Sequence, residues 1–92
     1  MALSGVKVIA TAGTALPLGT QNIRGPLAVK ALPTNTGLVY VGNDGEGDVS
    51  SSNGYPLAKN EEVVFKSVSN LAIVFVDSAV NGEGVAWIDL GF

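Results

Sequence analysis

The sequence contains no cysteine and no histidine, and these two absences exclude whole classes of chemistry. Without cysteine there is no disulfide and no thiolate nucleophile, and without histidine there is no imidazole base. The usual ligands of zinc, copper and haem iron are missing with them. We therefore expect a protein that is not an enzyme, with no catalytic residues, no cofactor and no metal site.

Charged residues are also scarce, at 14% of the chain, and the net charge at pH 7 is −3. No cluster of basic residues interrupts this acidic balance, so the attraction that drives nucleic-acid binding is missing. The longest uninterrupted apolar run, residues 71–76, is far shorter than the roughly 20 residues that span a bilayer. The N-terminal residues do not have the pattern of a secretory signal. The composition thus predicts no nucleic acid and no membrane among the partners.

The residues that are abundant favour strands separated by turns. Val, Ile and Thr account for 22 of the 92 residues, and 12 Gly and 4 Pro punctuate them at short intervals. We expect one all-β domain over residues 1–92, a small antiparallel β-sandwich or barrel of about six to eight short strands. It has a short N-terminal arm (about 1–4) and a long acidic loop (about 43–54). Apolar segments predict strands at residues 6–12, 27–32, 38–42, 62–68, 71–76 and 85–90, with a short extended piece at 15–18.

Turn-forming residues predict how these strands are connected. Residues 34–37 are short enough for a hairpin turn, and Ser69-Asn70 and Asn81-Gly82 are the expected turns further along the chain. A helix over residues 57–81 is the alternative, because this stretch has no Gly or Pro and spaces some apolar residues at helical intervals. Its many β-branched residues favour strands instead.

The alternation of side chains along these strands predicts a set of core residues. We expect most of the buried surface to come from Val8, Val29, Val41, Phe65, Ile73, Val74, Trp87 and Ile88.

Three carboxylates alternate in the acidic loop, at Asp44, Glu46 and Asp48. Such oxygen ligands suit calcium, but the loop lacks the glycine and the glutamate that an EF-hand places at fixed positions. We expect a mobile, charged surface loop without a structural metal, and weak cation binding is the alternative.

Two tyrosines are candidate binding residues, because aromatic faces stack on sugars and bases. Tyr55 lies between Gly54 and Pro56, in a segment typical of loops, where an aromatic residue often forms a contact. Together with Tyr40 it supports one functional hypothesis, a carbohydrate- or ligand-binding β module.

From about residue 29 onward, four segments follow one another in a characteristic order and spacing: ALPTNTG (31–37), VYVG (39–42), SSSNGYPL (50–57) and VDSAVNGEGV (76–85). In this order and spacing they resemble a group of small virion structural proteins of tailed bacteriophages. The segments cover roughly two thirds of the chain together with the residues between them, and the acidic loop departs from the pattern.

The resemblance implies a structural protein of the phage particle, without catalytic residues to carry over. It implies a capsid decoration or cement protein that binds the major capsid protein, is assembled in the cytoplasm of the bacterial host and resides in the virion. A head–tail or tail accessory protein of the virion is the alternative within that family.

The low charge and the mean hydropathy of +0.38 suggest that some apolar surface is buried against other chains. Closed rings around a symmetry axis are the common way to achieve this, and we expect a homotrimer. The expected contacts with partners or other copies are apolar or aromatic residues near the chain ends or in a loop: Met1, Leu3, Tyr55 and Phe92.

Overall fold

The structure, a computed structural model, describes residues 3–90 and consists of two antiparallel four-stranded sheets that form a small β-sandwich. Strand accounts for 42% of the described residues and helix for 3%, so the predicted all-β class is confirmed and the alternative helix is wrong. Within these residues no helix has the length and hydrophobicity to cross a membrane. The strands are β1 (Ser4–Ile9), β2 (Leu16–Pro17), β3 (Leu27–Ala31), β4 (Val39–Gly42), β5 (Tyr55–Leu57), β6 (Glu62–Phe65), β7 (Phe75–Ser78) and β8 (Glu83–Asp89).

Most connections carry the chain from one sheet to the other. Sheet A has the strand order β1-β8-β3-β6, and sheet B has the order β2-β7-β4-β5. In the described part of the chain, β4 and β5 alone are both consecutive in sequence and paired in a sheet. The hairpin predicted at residues 34–37 is therefore wrong, because this segment crosses between the sheets. The turn predicted at Asn81-Gly82 is present, but it also connects strands of different sheets. Such crossings are typical of sandwiches, in which distant segments supply neighbouring strands.

The inward-facing side chains of both sheets meet in one hydrophobic core. Trp87 of β8 lies directly opposite Gly5 of β1 on one side and Val29 of β3 on the other. A Cβ atom at Gly5 would lie 2.8 Å from the indole Cζ2, so the ring occupies the space of the missing side chain. The largest fully buried side chains are Ile9, Leu27, Leu71, Val29, Val39, Val41, Val76 and Val85.

The predicted core residues are partly confirmed. Val8, Ile73 and Ile88 are wrong, because their side chains are 45%, 50% and 36% exposed. Ile88 lies in β8, which carries apolar residues on both faces, and Val8 lies in β1, whose buried face includes Lys7. Alternation alone therefore does not identify the buried face of either strand. The buried members of the predicted set are Val29, Val41, Val74 and Trp87, and Phe65 is half-buried against the core.

Two segments form different structure from the one predicted. The strand expected at residues 71–76 begins as one turn of 3-10 helix (Leu71–Ile73), and β7 follows it. The side-chain oxygen of Asn70 accepts a hydrogen bond of 2.7 Å from the Ala72 N–H, which caps this turn. Tyr55, expected in a loop, begins β5 at the edge of sheet B. Pro56 is tolerated there, because an edge strand has one side without a ladder.

Candidate functional site

The outer face of sheet A is apolar and uncovered by any described segment. Residues directly opposite each other on antiparallel strands point to the same side of a sheet, so the register defines which side chains face outward. Val6 is 60% exposed, Val64 48% and Ile88 36%, and such a contiguous patch on a small domain is typical of an interaction site. We use the name apolar face for the outward-facing hydrophobic residues Val6, Val8, Ala28, Val64, Ala86 and Ile88.

The outward positions of sheet A also hold one charged residue of each sign. Lys30 of β3 lies directly opposite Glu62 of β6, so the surface has no net charge. A groove of about 200 Å³ lies beside this pair, lined by Ala28, Lys30, Glu62, Ala86, Trp87 and Ile88. Contact with another chain would therefore mainly remove hydrocarbon from water, which contributes about 25 cal/mol per Å² of apolar surface.

The outer face of sheet B is covered, in contrast, by two loops of the same chain. Asp77 and Phe75 point outward from β7, because their partners across β4 are Tyr40 and Gly42. The Gly13 N–H donates a hydrogen bond of 2.9 Å to the Asp77 carboxylate, which is only 4% exposed. A Cβ atom at Gly47 would lie 3.8 Å from the Phe75 ring, so the acidic loop lies over that side chain. The two faces of the sandwich therefore differ in what covers them.

The acidic loop, residues 43–54, has internal hydrogen bonds and an anchor in the protein. The Asn43 side-chain oxygen accepts from the Gly45 and Gly47 N–H groups at 2.8 and 3.2 Å, and Val49 is buried at 2% exposure. Asp44, Glu46 and Asp48 line an open depression of about 520 Å³ beside Gly13, Thr14 and Ala15. Among residues 3–90, no three carboxylates come together in an arrangement that holds a metal ion.

The two candidate tyrosines do not form a common stacking platform. Tyr40 is opposite Pro56 and Tyr55 is opposite Val41, so the two aromatic side chains start from opposite faces of the β4–β5 pair. Tyr55 is 60% exposed and remains a candidate contact residue by itself. The hypothesis of a sugar site built by both tyrosines therefore loses its geometric basis.

The first and last segments of the phage resemblance meet at one end of the sandwich. The Asn35 amide donates to the Gly84 carbonyl at 2.9 Å, and its oxygen accepts from the Gly84 N–H at 3.3 Å. The Glu83 carboxylate accepts from the Gly37 N–H at 2.9 Å and from the Thr36 N–H at 2.7 Å. These backbone hydrogen bonds, that of Gly37 first, lower the pKa of Glu83 below its ordinary value. The residues of these two segments thus hold residues 35–37 and residues 83–84 together by hydrogen bonds.

The two middle segments of the resemblance are also structural partners. Val39 is opposite Leu57 and Val41 is opposite Tyr55 in the β4–β5 pair. A Cβ atom at Gly54 would lie 2.6 Å from that of Tyr40, which explains the glycine before Tyr55. The residues that carry the resemblance are therefore those that join the ends and edges of the sandwich.

No family model, no curated protein and no solved structure matches the chain.

Of the four expected contact residues, Met1 and Phe92 lie outside the described residues. Leu3 is half-buried against the protein's own core, and its carbonyl oxygen accepts a 2.7 Å hydrogen bond from the Asp89 N–H. Strand β1 begins at the next residue, so Leu3 has little freedom to reach a neighbour as part of an arm. The apolar face was not predicted from the sequence, although β1 carries valines on one face and an isoleucine on the other, which indicates apolar residues on both sides of the strand.

Proposed function

We propose that this protein is a non-enzymatic structural protein of a tailed bacteriophage, a homotrimer that decorates the capsid and stabilises the shell. The observation that carries the proposal is the apolar face, a hydrophobic sheet surface that no described loop covers. A 92-residue domain gains stability when such a surface packs against other chains. The resemblance of residues 31–85 supports the phage particle as the place where those chains are found.

A decoration protein works by binding the assembled shell better than its separate subunits. A ligand that binds only the assembled state stabilises it by RT ln(1 + [L]/Kd), which is about 2.7 kcal/mol when the ligand is present at 100 times its Kd. Many copies around the particle repeat this gain. Mechanical and thermal resistance of the shell is therefore the property that the protein would raise, without any chemical step.

Tyr55 is the described residue that we propose as a contact with the major capsid protein. It lies on β5, at an edge of sheet B, and its side chain is 60% exposed. Exposed tyrosines are enriched in interfaces because a large apolar ring ends in a hydroxyl that tolerates water. Its position on sheet B leaves the apolar face of sheet A available for contacts with other copies.

The proposal is tested on particles of the encoding phage that are assembled without this protein. We expect these particles to release their DNA at a lower temperature, and purified protein to bind them and restore the resistance. The Tyr55→Ala variant should bind the particles more weakly. The matched control is Ile73→Ala, another exposed hydrophobic residue at 50% exposure, in the 3-10 turn and outside β5. Particles with the same heat and osmotic resistance in the presence and absence of the protein would contradict a stabilising role.

A further inference from the structure

We propose that β1 of one copy pairs with β6 of the next in the homotrimer. Three copies of sheet A then close around the threefold axis with their apolar faces inward. This inference rests on the homotrimer of the proposed function and identifies the surfaces that build it. It accounts at once for the uncovered edges of sheet A and for its uncovered face.

Within residues 3–90, one side of the β1 backbone has no hydrogen-bond partner. The carbonyl oxygens of Leu3 and Ile9 accept hydrogen bonds of 2.7 Å from the Asp89 and Gly82 N–H groups, so these residues turn their peptide groups toward β8. Successive residues of a strand point their N–H and C=O groups to opposite sides. The even-numbered residues Ser4, Val6 and Val8 therefore direct their donors and acceptors away from the protein, at the edge of sheet A.

Strand β6 has the same property at the opposite edge. The Ala31 N–H donates a 2.9 Å hydrogen bond to the Glu61 carbonyl, so Glu61 faces β3 and the alternation turns Glu62 and Val64 outward. Directions alternate across β1-β8-β3-β6, so β1 and β6 run antiparallel. A head-to-tail joint between them continues the antiparallel pattern of the sheet.

The edges of sheet B are protected from such pairing. Strand β2 has two residues and ends in Pro17, and β5 has three residues with Pro56 at its centre. Short edge strands and prolines are common devices against strand addition. Strand β1 has six residues and no proline, and β6 has four and no proline. The two edges that are open to pairing thus belong to the same sheet.

The dimensions of sheet A fit a three-sided arrangement. Four strands at about 4.8 Å spacing give a width of about 19 Å, and three such sheets in a triangle lie about 5.5 Å from its axis. Packed sheets are about 10 Å apart, so side chains reach about 5 Å from each sheet. The side chains of three apolar faces therefore meet at the axis.

A dimer would bury less of the apolar face and of the two edges of sheet A than the trimer does. A face of about 19 Å by about 17 Å covers roughly 320 Å², well below the roughly 800 Å² per partner of a standard interface, so two faces alone make a small contact. A pair of β1 strands from two copies would leave the apolar face in water. The trimer buries one face and two edges of every copy.

The first test uses two variants, one that disrupts pairing at the β1 edge of sheet A and one that disrupts pairing at the β6 edge. Val6→Pro removes an N–H that points away from β8 and so disrupts no hydrogen bond within one copy. Val64→Lys places a charge on β6 and on the apolar face. Ile73→Lys, at a residue 50% exposed outside sheet A, is the matched control. Light scattering should give about 28 kDa (3 × 9.3 kDa) for the wild type and the control, and 9.3 kDa for both edge variants.

Mixing the two edge variants distinguishes head-to-tail pairing from pairing of identical edges. Val6→Pro keeps an intact β6 and Val64→Lys keeps an intact β1, so the mixture can form one joint. We expect a two-chain species in the mixture and in neither variant alone. Dimers of Val64→Lys alone would show pairing between two β1 strands and overturn the proposal.

Hydrogen exchange on the wild type tests the joint without any substitution. The outward amides of Val6, Val8 and Val64 should exchange slowly at concentrations where the trimer forms and rapidly after dilution. Rapid exchange in the intact trimer, or a Val6→Pro variant that folds and stays trimeric, overturns the β1–β6 joint and leaves the decorating role untouched. Particles whose resistance does not depend on the protein overturn the decorating role and leave the joint untouched.

Discussion

Replacement of Trp87 by alanine removes the largest side chain of the core. The indole lies between Gly5 of β1 and Val29 of β3, and it fills the space that a side chain at Gly5 would occupy. Because that neighbour is a glycine, β1 has no side chain that can move into the vacated volume. The backbones of two strands would have to approach each other to close it, so we expect the cavity to stay largely open.

The size of the effect follows from the burial of the ring, which is 7% exposed. A buried Trp→Ala change typically costs about 3–5 kcal/mol. The burial of about 200 Å² at about 25 cal/mol per Å² gives about 5 kcal/mol, in agreement with that range. A domain of 92 residues has a total stability of about 5–14 kcal/mol. The variant therefore loses about a fifth of this stability or more, and its Tm falls by at least about 12 °C.

The assay is urea unfolding followed by circular dichroism, because Trp87 is the only tryptophan and its removal abolishes the usual fluorescence signal. It is done below the concentration at which copies associate, since association adds to the apparent stability. Ile88→Ala is the matched control on the outer face of the same strand, and we expect it to lose less than about 1 kcal/mol in the single copy. A Trp87→Ala variant that unfolds at the wild-type midpoint would refute the burial and the cavity together.

Three further predictions concern single features of the fold. Phe65→Ala should lose about 2–3 kcal/mol in the same urea assay, less than a fully buried ring, because Phe65 is only half-buried, and a loss equal to that of Trp87→Ala would contradict this ranking. The lowered pKa of Glu83 means that its carboxylate stabilises the fold above the ordinary value of 4.5 and loses this effect as the pH falls through the folded-state pKa. The difference in urea midpoint between wild type and Glu83→Gln should therefore be present at pH 7 and vanish in acid, and a difference that grows in acid would reverse the assignment. Excess chelator should leave the Tm unchanged, because the acidic loop is held by the hydrogen bonds that the Asn43 side-chain oxygen accepts and by the buried Val49; a fall of several degrees would indicate a bound ion.

The positions of most strands could be predicted from local composition, and the pairing of the strands could not. Val39–Gly42 and Glu83–Asp89 lie close to predicted segments because β-branched residues and turn residues bound them. The turn at residues 34–37 has the length of a hairpin, but the Asn35 amide binds Gly84 and directs the chain to the other sheet. This contact joins residues 49 positions apart, which no local pattern indicates.

The apolar face could not be predicted, because the alternation of side chains along a strand divides them between two faces without showing which face is buried. In β1 the outward positions carry Val6 and Val8, and the inward ones carry Gly5, Lys7 and Ile9. Hydrophobicity alone favours the wrong side of such a strand. Glycine at position 5 was the residue that marked the buried side, because it leaves room for Trp87.

The position of β8 sets the order in which the protein can be completed. This strand is the last in sequence among those of residues 3–90, yet it lies between β1 and β3 in sheet A. The ribosome therefore has to finish residue 89 before the first strand of the chain has a neighbour to pair with. Until then β1 has no partner in sheet A and β3 can pair with β6 alone, and contacts between such distant segments form slowly. Sheet A is consequently completed only after all of its strands have been synthesised. A chain that stops before β8 has an unpaired β1 and a separate β3–β6 pair instead of a three-stranded sheet.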